Sequence, residues 1–182
     1  MFSKIESLIY RICRCIHLRL QKVFILSRLF YPQTSPPHIL GKIYLNARNV
    51  KVGKNVTLYP GVYLWGNDIE IGDNVDIGVG TIIYSKNGIK IGDNTIIAGQ
   101  CYIIDSNHGM KVGELIREQE DSAEERGIVI GSDVWIAAQC SILKGACIHD
   151  HAVIGAQSLV NSEIPENTIA VGTPAKVMKY RK

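Results

Sequence analysis

An aliphatic residue recurs every six positions from Ile130 to Val160: Ile130, Ile136, Ile142, Ile148, Ile154 and Val160. A small or short residue follows four places on, at Val134, Cys140, Ala146, Ala152 and Ser158. An amphipathic helix repeats at about 3.6 residues and a single half-buried strand at 2, so a sustained period of six matches neither. It is the pattern of a hexapeptide β-solenoid, in which each hexapeptide makes one short strand and one turn. Three hexapeptides then close a triangular coil of about eighteen residues, and successive coils stack as parallel strands around an apolar prism.

The frame extends towards the N-terminus. Val52, Leu58 and Leu64 keep step, followed by Ile71, Ile77 and Ile83, then Ile91, Ile97 and Ile103, with one extra residue before Ile71 and two before Ile91. Glycine often follows the aliphatic residue, at Gly53, Gly72, Gly78, Gly92, Gly131 and Gly155. Asp73-Asn74 and Asp93-Asn94 come next at two of these corners, as expected where a turn needs positive φ or a side chain bonding its own backbone. A β-sandwich with regular turns does not generate so long a fixed period.

The 182 residues suit one domain, and 46% hydrophobic with 20% charged residues is ordinary for a globular chain. The net charge of +3 is local in origin: Lys4, Arg11, Arg14, Arg19, Lys22 and Arg28 face Glu6 alone, leaving the rest of the chain acidic. No nucleic-acid partner is expected. Of the five cysteines, Cys101 and Cys140 fall on the small inward position and Cys13 and Cys15 lie near the N-terminus, which is not a disulfide framework. The absence of a CxxC pair gives no zinc signature, and a reducing, cytoplasmic setting is expected.

Ile5, Leu8, Ile9, Ile12, Ile16, Leu20 and Val23 recur at helical spacing, so residues 1–31 read as an amphipathic helical segment with a basic outer face. Its arginines interrupt any apolar run long enough to span a membrane, and no secretory signal is expected. Two readings are open: packing on the solenoid or a neighbouring subunit, and peripheral contact with anionic lipid at the inner face of the membrane. Residues 32–38, with Pro32, Pro36 and Pro37, are a Pro-rich linker. The solenoid occupies 39–172, and 173–182 form a basic tail in which Lys179, Arg181 and Lys182 are expected to be solvated.

The period lapses between Ile103 and Ile130, which predicts a loop over 104–127 extruded from one corner. Solenoid rungs carry no inherent catalytic group, so this loop is where chemistry is expected. It opens with Asp105-Ser106-Asn107-His108-Gly109 and continues into a highly charged run whose placement the pattern does not determine.

Three stretches resemble a left-handed β-helix acyltransferase of the hexapeptide-repeat superfamily, closest to the galactoside and maltose O-acetyltransferases and the surface-polysaccharide O-acetyltransferases. They are Ile91-Gly92-Asp93-Asn94 running to His108-Gly109, Ile130-Gly131-Ser132-Asp133-Val134-Trp135-Ile136, and Ile164-Pro165-Glu166-Asn167 through Val171-Gly172-Thr173-Pro174-Ala175-Lys176. The resemblance implies acetyl-CoA as co-substrate, a carbohydrate acceptor, no metal, and a homotrimer with the coenzyme in grooves between subunits. It makes His108 the general base, a role that suits an imidazole largely neutral near pH 7. Asp105, three residues earlier, is the candidate to hold that imidazole.

Further residues follow by the same resemblance. Trp135 matches a tryptophan beside the pantetheine arm, and Ala138 a position whose backbone N–H faces the thioester carbonyl. Ala156 and Lys176 match coenzyme contacts, with lysine in place of a frequent arginine. The family's acceptor-holding asparagine is missing, because the matching position is close to Gly78; Asp76 and Tyr84 are the candidates to replace it. The leading expectation is O-acetylation of a sugar or polysaccharide precursor by direct attack, without an acyl-enzyme. N-acetylation of a nucleotide-linked amino sugar is the alternative. More remote are a γ-type carbonic anhydrase, for which His108, His149 and His151 are the solenoid histidines, and a non-catalytic scaffold.

Overall fold

The computed structural model describes residues 37–123 and 127–182. The expected helical segment 1–31 and most of the expected linker 32–38 lie outside them, and with them both readings of the N-terminal segment. Among the described residues, no helix is long and apolar enough to cross a membrane.

The chain is a left-handed parallel β-helix whose three inward aliphatic columns have the register that the six-residue period requires. Ile39, Leu58, Ile77, Ile97, Ile136, Ile154 and Ala170 stack as one column, which counts seven coils. Leu45, Leu64, Ile83, Ile103, Ile142 and Val160 form the second, and Val52, Ile71, Ile91, Ile130, Ile148 and Ile164 the third. From the second coil on these side chains are buried, and the small residues pack between them at the corners. Cys101 and Cys140 are among those corner residues: both are buried and free, and contact with Cys140 together with burial pushes the Cys101 thiol up.

The three columns define three faces. Asp76–Ile77, Ile96–Ile97, Trp135–Ile136 and Val153–Ile154 lie on the first, and Ile82–Ser85, Tyr102–Ile104 and Ser141–Ile142 on the second. Ile89–Ile91, Ile128–Ile130 and Cys147–Ile148 lie on the third. Tyr44–Val52 and Tyr63–Ile71 run round the corner from second to third face. The extra residues before Ile71 and Ile91, and the loop before Ile130, all leave the frame at this same corner. The third face carries a solvated ladder in which Glu70 receives Lys51 at 2.8 Å and Lys90 at 3.6 Å. The second carries an aromatic row, Tyr44, Tyr63, Trp65 and Tyr84.

The corner between third and first faces explains the Gly-Asp-Asn sequences, and positive φ falls on the polar residue there, as expected at Asn74 and Asn94. Positive φ belongs to Asn55, Asn74, Asn94, Asp133, His151 and Asn167, one stacked column of left-handed residues. Gly53, Gly72, Gly92 and Gly131 precede these and are required for another reason. A Cβ on Gly92 would lie 2.6 Å from the Gly131 carbonyl carbon and 2.7 Å from the Ser132 nitrogen. Nor do the aspartates bond their own backbone: Asp73 accepts the Lys54 N–H and Asp93 the Asp73 N–H, each at 2.7 Å, across the coil boundary. Glycine is what allows the next coil's carboxylate to sit directly over the peptide.

The C-terminal segment is exposed at Lys179, Arg181 and Lys182, as expected, but it is not a free tail. Ala175–Tyr180 is a strand antiparallel to Thr168–Gly172. Arg181 donates to the His151 carbonyl at 2.7 Å and to Asp133 at 3.3 Å, and hydrogen bonds from His151 and Arg181 hold the Asp133 carboxyl below the usual range.

Gly92→Ala should therefore destabilise the solenoid by roughly 1–3 kcal/mol, the range for overpacking against backbone that cannot retreat. A lowered denaturant midpoint checks this, and an unchanged midpoint would contradict the close-approach account.

Candidate active site

The loop begins where the second-face strand Tyr102–Ile104 ends. Ser106–Asn107 pairs antiparallel with Ser122–Ala123, with Asn107 opposite Ser122. The next pair outward is His108 and Asp121, and the His108 Nδ1 lies 2.8 Å from Asp121 Oδ1. A carboxylate only accepts hydrogen bonds, so Nδ1 carries a proton and, in the neutral imidazole, Nε2 keeps its lone pair. The His108 side chain is 74% exposed, leaving Nε2 open to a partner from outside.

The loop is folded on itself beyond this pair. Gln119 accepts the Lys111 N–H at 2.8 Å and donates to the carbonyls of Lys111 and Glu114 at 3.0 and 3.1 Å. Gly109 beside His108 has no room for a Cβ, which would meet the Gln119 Cβ at 2.6 Å. At its base the loop is tied to both flanking coils. Lys86 Nζ reaches the Asp121 carbonyl at 3.2 Å and Oδ2 at 3.7 Å, and Lys144 Nζ donates to Ser122 Oγ at 3.2 Å.

Asp105 does not hold the imidazole. Its side chain is fully buried, and its carboxylate accepts the N–H groups of Lys86 at 2.7 Å, Asn87 at 2.8 Å and Gly88 at 3.1 Å. The Ser85 hydroxyl adds a longer contact at 3.4 Å. Both oxygens are thus committed to the turn of the preceding coil, and the carboxylate facing His108 is Asp121. No sequence period marked Asp121, because it enters through an antiparallel pairing across an aperiodic loop.

The residues matched to coenzyme contacts lie elsewhere on the coil. Trp135 is 52% exposed on the first face, in a column between Ile96 and Val153. Ala138 and Ala156 stack at the corner between first and second faces, joined by the Gln157 N–H donating to the Ala138 carbonyl at 3.0 Å. Lys176 is exposed and lies opposite Val171 on the C-terminal strand pair. These four therefore occupy the first face and its corner, whereas His108 leaves from the far end of the second face. Tyr102–Ile104 lies between them, so one chain does not bring His108 and these four residues together.

Asp76 and Tyr84 also lie apart. Asp76 is two rungs from Trp135 in the first-face column, and Tyr84 is on the second face with its ring 4.9 Å from that of Trp65. At Gly78 a Cβ would lie 2.5 Å from the Ala98 carbonyl carbon and from the Gly99 nitrogen, so the coil above closes on the position where an acceptor-holding side chain was sought. His149 and His151 each pair with one carboxylate, Glu163 at 2.7 Å and Asp133 at 2.9 Å. Among the described residues, no group of three His, Cys, Asp or Glu side chains is placed to hold a metal ion.

Residues 127–162 match the family model described as bacterial transferase hexapeptide (six repeats). The chain is 33% identical over 175 residues to the putative lipopolysaccharide biosynthesis O-acetyl transferase WbbJ of Escherichia coli K12, covering 91% of this chain and 88% of that protein. Among solved structures, a maltose O-acetyltransferase from Clostridium difficile 630 superposes with a TM-score of 0.62 at 28% identity, covering 87% of this chain and 73% of the other. AntD, an N-acyltransferase from Bacillus cereus solved with dTDP and coenzyme A, gives 0.69 at 22% identity over 80% and 82%, a likeness of fold alone.

The two carboxylates near the loop base should respond oppositely to substitution. Asp105→Ala leaves several buried N–H groups without an acceptor and should cost roughly 2–4 kcal/mol of stability, whereas Asp121→Asn should leave the thermal midpoint almost unchanged. Differential scanning calorimetry of both variants checks this, and equal midpoints would contradict the assignment of Asp105 to the turn.

Proposed function

The chain belongs to the hexapeptide-repeat acetyltransferases, and on that premise we propose that it transfers the acetyl group of acetyl-CoA to a hydroxyl of a sugar or surface-polysaccharide precursor, with His108 as general base. The observation that carries this reading is the His108 imidazole, held at Nδ1 by Asp121 at 2.8 Å in a side chain that is 74% exposed.

A thioester is already activated, so an alcohol acceptor needs chiefly a base for its proton, correct placement, and donors for the developing oxyanion. In this reading the acceptor hydroxyl gives its proton to Nε2 as its oxygen attacks the thioester carbon. Asp121 stabilises the imidazolium that results. Collapse breaks the carbon–sulfur bond, and the departing thiolate takes the proton back from Nε2, so no acyl-enzyme forms and His108 ends neutral. The Ala138 N–H is assigned to the oxyanion, with Trp135, Ala156 and Lys176 along the coenzyme. A lysine at 176 serves phosphate as a point charge.

Because His108 and the Ala138 corner lie at opposite ends of a second-face strand, the complete site requires a second copy of the chain. A closed homotrimer supplies it, with the base of one copy facing the donor corner of the next. The acceptor contacts assigned to Asp76 and Tyr84 would then come from different copies as well.

The hydroxyl reading rests partly on which acids surround the base. An amine acceptor arrives largely protonated and calls for carboxylates free to receive it. Asp105 is enclosed in its turn and Asp121 is engaged by both His108 and Lys86, so neither is left for an ammonium group.

His108→Ala should lower kcat by roughly two to four orders of magnitude, with affinity for acetyl-CoA nearly intact and a trimer still seen by light scattering. Unchanged kcat in an intact trimer would remove His108 from the mechanism. A stable monomer that turns over would overturn the shared site.

A further inference from the structure

We propose that Asp105 and Lys86 are positioning residues for His108, acting in series through Asp121; this rests on the reading of His108 as the base. The inference starts from a difference in how the partners are fixed. His108 and Asp121 stand on an exposed loop, whereas Asp105 is fully buried in the solenoid wall. A general base works only if its lone pair is held near the acceptor proton, and displacement of about 1 Å costs on the order of 10²-fold in rate. The loop must therefore take its position from the wall.

The contacts provide that connection step by step. Asp105 fixes the amides of residues 86–88, so the point from which the Lys86 side chain leaves the wall is set by buried hydrogen bonds. The Lys86 ammonium then meets Asp121 twice, at the main-chain carbonyl and at Oδ2. A lysine with one exposed contact would lose about as much in rotamer entropy as it gained. Two contacts on one residue, from a backbone that is itself fixed, define a direction. They also leave Oδ1 as the oxygen that meets His108 Nδ1.

Among the described residues, the remaining contacts around the pair complete the frame, and Lys86 is the cation seen on Asp121 beside His108. Lys144, from the coil on the other side, goes to the Ser122 hydroxyl. Gln119 is occupied by the Lys111 and Glu114 backbone. Among the described residues, Lys86 is thus the link by which the wall reaches the carboxylate. Its role is geometric rather than electrostatic, since a nearby ammonium alone would oppose the imidazolium formed during transfer.

Lys86→Met tests this directly, because it keeps the amide that Asp105 binds and most of the aliphatic stem. The expected result is a fall in kcat of about 10- to 100-fold, with the KM for acetyl-CoA and the thermal midpoint unchanged. Lys86→Arg should recover most of the rate. In an Asp121→Ala background Lys86→Met should have no further effect on kcat, because the carboxylate through which Lys86 reaches His108 is already gone even though the contact to the residue 121 carbonyl remains. Full activity of Lys86→Met would overturn the inference, as would an undiminished loss in the Asp121→Ala background. Either result with an inactive His108→Ala condemns the positioning chain alone, whereas an active His108→Ala condemns the assignment of the base.

Discussion

Everything in this molecule depends on each coil lying directly on the next, close enough for the backbone of one to hydrogen-bond the backbone of its neighbour on every face. At the Gly-Asp-Asn corner the constraint is tightest, because the carboxylate of one coil is inserted over the peptide of the coil before it. Only a residue without Cβ can lie beneath it, and only a residue tolerant of positive φ can complete the turn. A solenoid gains stability from contacts between neighbouring coils, so this corner is repeated through the stack. Asn55, Asn74 and Asn94 bond side chain to side chain along it.

A wall built so strictly leaves few places for chemistry. The corner between second and third faces is where it relaxes: one extra residue, then two, then a loop that carries the candidate base. The Asp105 carboxylate illustrates how the transition is managed. It satisfies the amides of a turn that no longer follows the regular frame, so the preceding coil is closed before the chain departs. Antiparallel pairing of Ser106–Asn107 with Ser122–Ala123 returns the chain to the wall, and the same pairing sets His108 against Asp121.

Most of the fold was legible because one period governs it. The three aliphatic columns appear in the structure in the frame that the six-residue spacing specifies, and the loop lies where the spacing lapses. The glycines were visible but their cause was not, since sequence shows a turn residue and not the coil stacked above it. His108 stood out by its place at the mouth of the loop, whereas Asp121 and Lys86 did not. Proximity in sequence favoured Asp105, yet its carboxylate is held by the turn of the preceding coil. The C-terminal basic run is exposed, as its composition suggests, but nothing in that composition marked Arg181 as spanning His151 and Asp133.

The loop holds an imidazole clamped at one nitrogen, and the Ala138 corner lies across a second-face strand from it. The central functional claim is that an oxygen nucleophile receives the acetyl group. The most direct test supplies acetyl-CoA and matched sugars bearing either a free hydroxyl or a free amino group, and then treats the product with mild base. The account predicts acetyl attached to the hydroxyl sugar and released by alkali, as an ester is. Acetyl found on the amino sugar and resistant to alkali would be an amide, and would contradict it.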